Sequence, residues 1–379
     1  MKPFLYSTLL PLFLALAGLA TPAAAQDIVI GEFASLTGSE ATFGVNSSNG
    51  VQLAVDEINN AGGLLSGRKI KIVIEDDQSK PGQPSAAVKK LIASDKAVAI
   101  VGEIASSRSL EAAPICQAAK IPMVSPGSTN PSVTEKGDYI FRVCFIDPFQ
   151  GTVMAKFALD HLHAKKVALL TDVKSDYSKG LAQYFSDYFK SHGGTIVVER
   201  SYSGGGTDRD FRAQLTSIKA AQPDAIFIPG YYTEAGLIGK QARSLGIKVP
   251  MLGGDGWDSP KLAEIGGAAL NGCYFSTHFS PKDKAPKVQD FVAKYQAKFH
   301  AMPDGMAPLG YDAMAILGEA IKTAGSTDAA KIRDALASVK DFNGVTGKIT
   351  IDAKRNATKS AVVLQVNGKE NDFVTTVAP

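Results

Sequence analysis

The stretch Val98-Ala-Ile-Val-Gly-Glu-Ile-Ala-Ser-Ser-Arg-Ser109, followed closely by Ile121-Pro-Met-Val-Ser-Pro-Gly-Ser-Thr-Asn-Pro131, decides how this chain reads. Each segment opens on a short apolar run and closes on a small, hydroxyl-rich turn. A continuous short apolar run is the pattern of a strand buried on both faces, as in a parallel sheet. In an open α/β sheet the loops beyond the strand C-termini line the ligand crevice. Here those loops offer hydroxyls, backbone N–H groups and nearby helix N-termini, which together suit a small anion such as a carboxylate. Neither loop carries a strong catalytic group, so the pattern points to binding without chemistry.

Similar runs recur outward from this pair. Ile28–Ile30, Ile70–Ile74 and Tyr139–Val143 join the first set; Val167–Leu170, Thr195–Val198, Ala225–Ile228, Met251–Leu252 and Cys273–Phe275 form a second. Helical stripes lie between them. Val51, Ala54, Val55 and Ile58 make one, stopped by Asn60-Ala-Gly-Gly63; Phe211, Leu215 and Ile218 make another, stopped by Gln222-Pro223. Alternating strands and helices predict parallel sheets covered by helices on both faces. Five strands and then five more predict two similar lobes, with the break near Cys144–Gln150, where Asp147-Pro148 interrupts the pattern. Helices are expected from Pro286 to Lys340. Short strands follow at Lys348–Ile351 and at Ala361–Val366, which leads into the Asn367-Gly368 turn, so the tail is expected to return and complete both lobes.

The N-terminus has the form of a secretion signal: Lys2, the apolar run Phe4 to Leu19, and Ala23-Ala-Ala25 before Gln26. The run is short, is broken by Pro11 and ends in Thr21-Pro22, which argues for removal after Ala25 rather than retention as an anchor. No Cys follows the cleavage site to take a lipid, and no later segment is apolar enough to span a bilayer. Of 379 residues, 354 then remain, which is too many for one ordinary core and fits two lobes. The 40 basic and 37 acidic side chains are interspersed, and a net charge of +3 argues against nucleic acid or an anionic membrane as partner. The cysteines are Cys116, Cys144 and Cys273, none in a CxxC pair. A Cys116–Cys144 disulfide and three buried thiols are both open readings.

Five segments carry a family resemblance: Gly31-Glu-Phe-Ala-Ser-Leu-Thr-Gly38, Ala54-Val-Asp-Glu-Ile-Asn-Asn-Ala-Gly-Gly63, Glu75-Asp-Asp77, Ser125-Pro-Gly-Ser-Thr-Asn-Pro131 and Phe141-Arg-Val143. In order, over essentially the whole mature chain, they resemble the Leu/Ile/Val-binding proteins of bacterial ABC importers, which are type I periplasmic binding proteins. The resemblance implies an α/β fold of two Rossmann-like lobes with parallel sheets, joined by a three-segment hinge and clamping the ligand between them. Lobe one is expected at 27–145 and 276–352, lobe two at 146–275 and 353–379. It implies further a periplasmic monomer that binds an amino acid, most naturally Leu, Ile or Val, and delivers it to a membrane permease, with no cofactor, no metal and no catalytic residue.

The same resemblance implies the site. Ser106 and Thr129 correspond to hydroxyls that hold the ligand's α-carboxylate, and Gly127 to a backbone contact from the same loop. Without the resemblance, Ser106 reads as a helix N-cap. Tyr177 and Tyr231 correspond to ligand tyrosines of the second lobe, with Tyr232 as the alternative if the register slips by one. Asp255, in Gly253-Gly-Asp-Gly-Trp257, corresponds to the carboxylate that holds the α-ammonium; taken alone it reads as a turn cap. A family member carries Glu there, so Asp is a departure, and an amine-free ligand is the alternative if Asp is too short. Phe43 corresponds to an aromatic residue over the ligand side chain, and Trp257 borders the cleft or packs. A disulfide found in some members would join positions held here by Ser79 and Ala105.

Two other classes compete. His161-Leu-His163 suggests a metal pair but lacks acidic or cysteine partners nearby, and no G-x-S-x-G, Walker A or G-x-G-x-x-G motif is present. Gly204-Gly-Gly206 reads as a plain loop. A soluble sensor binding a related amide, amino acid or aromatic acid is the alternative function.

Overall fold

The computed structural model describes residues 26–379 together with Met1 and Pro3. The expected secretion signal rests mainly on residues 4–25 and so lies outside the described residues.

The first sheet contains β1 (Ile28–Ala34), β2 (Ile70–Asp76), β3 (Ala99–Val101), β4 (Met123–Ser125) and β5 (Ile140–Arg142), in the spatial order β2-β1-β3-β4-β5. All its pairings are parallel. The three short strands β3, β4 and β5 are buried at every residue, as continuous apolar runs require. The second sheet begins with β6 (Lys166–Asp172), β7 (Thr195–Tyr202), β8 (Ala225–Phe227), β9 (Met251–Gly253) and β10 (Tyr274–Thr277). A small sheet of β11 (Phe342–Gly344), β12 (Gly347–Ile351) and β13 (Ala357–Thr358) follows. The chain then returns to the second sheet with β14 (Ala361–Asn367) and β15 (Glu370–Val377), giving the order β15-β14-β10-β9-β8-β6-β7.

That last hairpin makes one edge of the second sheet antiparallel. The short Asn367–Lys369 turn can join only antiparallel neighbours. At the other edge β7 runs four residues past its apolar start, through the exposed Glu199 and Arg200, because an edge strand needs no apolar outer face.

Among the described residues eleven α-helices cover the sheets: α1 (Ala41–Asn60), α2 (Gln83–Ala93), α3 (Ser106–Ala119), α4 (Asp147–Asp160), α5 (Asp176–Ser191), α6 (Arg212–Ala220), α7 (Tyr232–Ser244), α8 (Pro260–Gly266), α9 (Pro286–Phe299), α10 (Met306–Ala324) and α11 (Ala329–Ala337). Asp147-Pro148, which breaks the sequence pattern, opens α4. Proline is harmless in a first turn, where its missing N–H has no intrahelical partner to lose. The chain passes between the two large sheets three times: after β5, after β10 and between β13 and β14. After the second passage α10 packs along α1. The approach is close because both helices carry glycine at the crossing. A methyl group on Gly50 would run into the Ala307 carbonyl oxygen, and one on Gly310 into that of Ser47.

All three cysteines are buried free thiols, the second of the two open readings, with no Cys116–Cys144 bond. The Cys144 sulfur faces the Ser128 carbonyl oxygen at 3.4 Å, and Cys116 packs among the side chains between α2, α3 and the first sheet. His161 and His163 are exposed, and no helix among the described residues is long and apolar enough to cross a membrane.

Candidate ligand-binding site

The loops after β3 and β4 meet at the C-terminal edge of the first sheet, but most of their hydroxyls are spent on each other. The Ser125 and Ser128 hydroxyls donate to the Glu103 carbonyl oxygen at 2.7 and 2.9 Å, and Ser128 also reaches Ser109 Oγ at 2.8 Å. The Glu103 carboxyl, pushed well above the usual carboxylate range by burial, accepts from the backbone N–H groups of Ser35 and Ala105. Arg142, in the Phe141-Arg-Val143 segment, donates to the carbonyl oxygens of Ser128 and Asn130 and so pins the second loop from behind. Ser106 is the first helical residue of α3 rather than its N-cap. Its hydroxyl accepts the Asn130 N–H at 3.1 Å and ties the two loops together. Thr129 differs from its neighbours. It is buried, and its Oγ1 finds no hydrogen-bond partner among the described residues.

The second lobe faces these loops with aromatic rings and a carboxylate. Tyr177 sits in the first turn of α5, and its hydroxyl accepts the Gly256 N–H at 3.1 Å. Tyr231 immediately precedes α7; its ring stacks on Tyr177 with centroids 5.3 Å apart and planes 9° apart. Phe43, in the first turn of α1, meets Tyr231 edge-on at 5.4 Å and Tyr232 at 4.8 Å. Asp255 lies buried in the 3₁₀ turn Asp255–Trp257. Its N–H donates to Gln150 Oε1 at 2.7 Å, and its Oδ2 lies 3.0 Å from His278 Nε2. Burial pushes the His278 imidazole down to about 4, so the ring is neutral at physiological pH and donates its Nε2–H to the carboxylate. Phe145, stacked on that ring at 3.7 Å, holds it in plane. Asp255 Oδ1 has no partner among the described residues.

Phe43, Gly127, Tyr177, Tyr231 and Asp255 line one small cavity of about 10 Å³, together with Ile104, Gly256 and Met306. Ser106, at the start of α3, and Thr129, in the loop after β4, lie outside its lining. Tyr231 rather than Tyr232 faces the cavity. The Tyr232 hydroxyl instead crosses to the other lobe and accepts the Thr42 N–H at 3.2 Å. Trp257 packs: it is fully buried, and its indole N–H donates to the Ile228 carbonyl oxygen at 3.0 Å. The sequence singled out neither Gln150, His278 nor Met306. Each acquires its place only through packing of elements distant in the chain, and no local pattern marks it. Ile104, in the loop after β3, carries no sequence signal that separates it from an ordinary apolar residue.

The lobes are latched across the cavity. Ser107 Oγ on α3 donates to Asp176 Oδ2 on α5 and accepts the Asp176 N–H, both at 3.0 Å, and Asn130 Nδ2 donates to the Asp176 carbonyl oxygen at 2.9 Å. No group of three or more His, Cys, Asp or Glu side chains placed to hold a metal occurs among the described residues.

The sequence profile of the periplasmic binding protein family matches residues 27–371. The Leu/Ile/Val-binding protein BraC3 of Rhizobium johnstonii is 34% identical over 331 residues, 87% of this chain and 88% of its own length. The leucine-binding protein LivK of Thermotoga maritima superposes with a TM-score of 0.88 at 41% identity, covering 93% of this chain and 99% of that one. LivJ of Streptococcus pneumoniae, a branched-chain amino acid transporter substrate-binding protein solved with isoleucine, gives 0.88 at 36% identity, with coverage of 93% and 100%.

Proposed function

The chain belongs to the periplasmic binding protein family, and from that premise we propose that it takes an apolar α-amino acid, in the first place leucine, isoleucine or valine, between its lobes and presents it to an ABC importer's permease. Its relatives are substrate-binding proteins rather than enzymes, and the chain is a binding protein. In this reading the chain is exported after cleavage at Ala25 and works as a monomer. Lobe one comprises 27–145 and 276–352, and lobe two 146–275 with the tail from 353.

The observation that carries the reading is one interlobe cavity whose lining combines an open buried carboxylate with apolar side chains. Asp255 Oδ1 in the lining and Thr129 Oγ1 in the loop after β4 are buried polar atoms without partners among the described residues. Phe43, Ile104, Tyr231 and Met306 supply the apolar lining. A buried polar atom left unpaired costs free energy, so each favours a ligand that completes it. Ser106, Thr129 and the backbone at Gly127 receive the α-carboxylate, Asp255 the α-ammonium, and the apolar wall the side chain, with Tyr177 and Tyr231 closing over it. A void of about 10 Å³ holds roughly one water and no amino acid, so the ligand enters a form in which the lobes have parted. Hinge closure then withdraws it from water and strengthens each polar contact.

Isothermal titration of the refolded, ligand-stripped protein against the twenty amino acids and a few keto and aromatic acids tests the reading. One-to-one binding of aliphatic amino acids is expected. Binding of amine-free acids alone, or of nothing in the panel, overturns it.

A further inference from the structure

We propose that the chain carries a second small-molecule site, a cavity of about 340 Å³ beside the second passage between the sheets, and that this site takes a monovalent organic cation with an apolar body, of the aralkylamine class. The cavity shares no lining residue with the interlobe cavity, and the proposal stands whether or not the interlobe cavity takes an amino acid. Its volume falls in the range of small-molecule sites, about 300–1,000 Å³.

Three parts of the fold enclose it. Residues 258–263, which lead into α8, and the β14–β15 hairpin come from the side of the second sheet. Residues 302–305 lead into α10, which packs along α1 and reaches β3 and β4 of the first sheet. Phe279, Pro281 and Lys282 come from the passage itself. Leu262, Phe279, Met302, Leu364 and Val366 give the lining its apolar surface.

Two buried acids, Asp258 and Asp304, also stand in this lining, and the structure brings them together. Asp258 Oδ2 accepts the Thr277 hydroxyl and, at 3.2 Å, the N–H of Gly305, the residue that follows Asp304. Asp304 is fully engaged: its Oδ1 accepts the N–H groups of Met306 and Ala307 at 3.0 and 3.3 Å, and its Oδ2 accepts the Asn46 side-chain amide. Asp258 Oδ1 accepts no hydrogen bond among the described residues, although the residue is only 5% exposed. Buried charges are ordinarily paired, yet neither acid has a cation of the chain to offset it. Lys282, in the same lining, is held by Glu370 and Asp372, each at 3.1 Å, and Lys369 is exposed. Burial pushes both acids above the usual carboxylate range, with the charge of Asp255 adding to the rise at Asp258 and that of Asp258 to the rise at Asp304. Two carboxyls this close do not readily ionise together, so the pair carries roughly one negative charge near neutrality. One monovalent cation balances it. No group of three or more side chains placed to hold a metal occurs among the described residues, and the apolar lining suits a hydrocarbon body, so the cation is an organic ammonium.

Calorimetric titration of the ligand-stripped protein at pH 7 with phenethylamine and with phenethyl alcohol, its neutral isostere, tests the site. One-to-one binding of the amine is expected, at least about tenfold tighter than the alcohol, the worth of a hydrogen bond to a charged group. Excess leucine is expected not to displace it. Asp258→Asn keeps an oxygen to accept the Thr277 and Gly305 bonds, and should weaken the amine about tenfold while leaving the alcohol unchanged. Ala263→Phe, at a half-buried lining position on α8, puts a ring into the cavity and should abolish binding of both. Absence of saturable amine binding at millimolar concentration overturns the proposal, as does an alcohol bound as tightly as the amine; neither result needs a variant to fold. An Ala263→Phe protein that binds the amine like wild type also overturns it. An amine displaced by leucine overturns it and leaves the amino-acid reading standing, whereas an amine bound by protein that takes no amino acid overturns only the amino-acid reading.

Discussion

At the scale of single residues, neighbours of the same chemistry have opposite uses. The Ser128 hydroxyl is bonded to Glu103 and Ser109, whereas the Thr129 hydroxyl beside it is unpartnered among the described residues. Ser128→Ala should therefore destabilise the fold by roughly 1–3 kcal/mol, because it leaves buried groups unpaired. Thr129→Val should leave the melting temperature unchanged or raised and weaken leucine binding about tenfold, the cost of a hydrogen bond to a charged group. Paired melting and titration experiments separate the two effects, and equal behaviour of both variants contradicts this division. Asp255→Asn keeps shape and removes charge. Leucine binding should weaken by roughly 2–5 kcal/mol while the circular dichroism spectrum stays that of wild type. The sequence marks Ser106, Thr129 and Asp255 as loop residues just past strands. It does not mark which hydroxyls are already taken, because their partners lie on other loops.

At the scale of elements, two contacts govern the molecule. The first is the crossing of α1 and α10, where glycine lets backbones touch. Gly310→Ala forces a methyl against the Ser47 carbonyl oxygen and should cost roughly 1–3 kcal/mol by overpacking, read as a lowered melting temperature with secondary structure retained. The second is the latch between α3 and α5. Ser107→Ala removes both of its bonds to Asp176 while touching nothing in the cavity lining. Since ligand affinity includes the free energy of closure, leucine binding should weaken severalfold. Small-angle scattering of the ligand-free variant should show a larger radius of gyration, and an unchanged radius would remove the latch from the account. Strand positions were largely legible because short apolar runs between helical stripes repeat along the chain. The start of α4 was less so: Asp147-Pro148 looks like an interruption, yet proline there begins the helix.

At the scale of the whole molecule, burial of acids sets the response to pH. Burial pushes Glu32, Asp147 and Asp304 up to about 8 and Glu40 to about 7, so each holds a proton in the folded protein well above the pH at which the unfolded chain releases it. The folded state then binds more protons than the unfolded state. The stability these groups confer is fully present below the ordinary carboxylate range and is lost as pH rises towards 8. His278, pushed down to about 4, acts oppositely, but only between its ordinary value of 6.5 and about 4. Burial also pushes Lys359 down to about 8, which opposes the trend only at the top of the range, so between pH 6.5 and 8 the four acids outweigh it and the melting temperature of the ligand-free protein should fall across that interval. A flat or rising profile in thermal melts would show that these carboxyls are ionised in the fold.

What the sequence determined by itself is the pattern of burial along the chain: strands buried on both faces, helices with one apolar face, and turns rich in hydroxyls. These follow from local periodicity, and local periodicity is enough for an α/β architecture and, with the family's motifs, for the identity of the loops that meet at the cleft. Tertiary structure alone decided how those loops are used. It brought Gln150 to the Asp255 turn, set His278 against Asp255, gathered Met306 and Tyr231 into one cavity lining, and spent Ser125 and Ser128 on Glu103 while leaving Thr129 open. Hydrogen-bond partnership and burial are properties of pairs and neighbourhoods. The members of these pairs are brought together by strand order and by three passages between the sheets, and no window of sequence contains both partners.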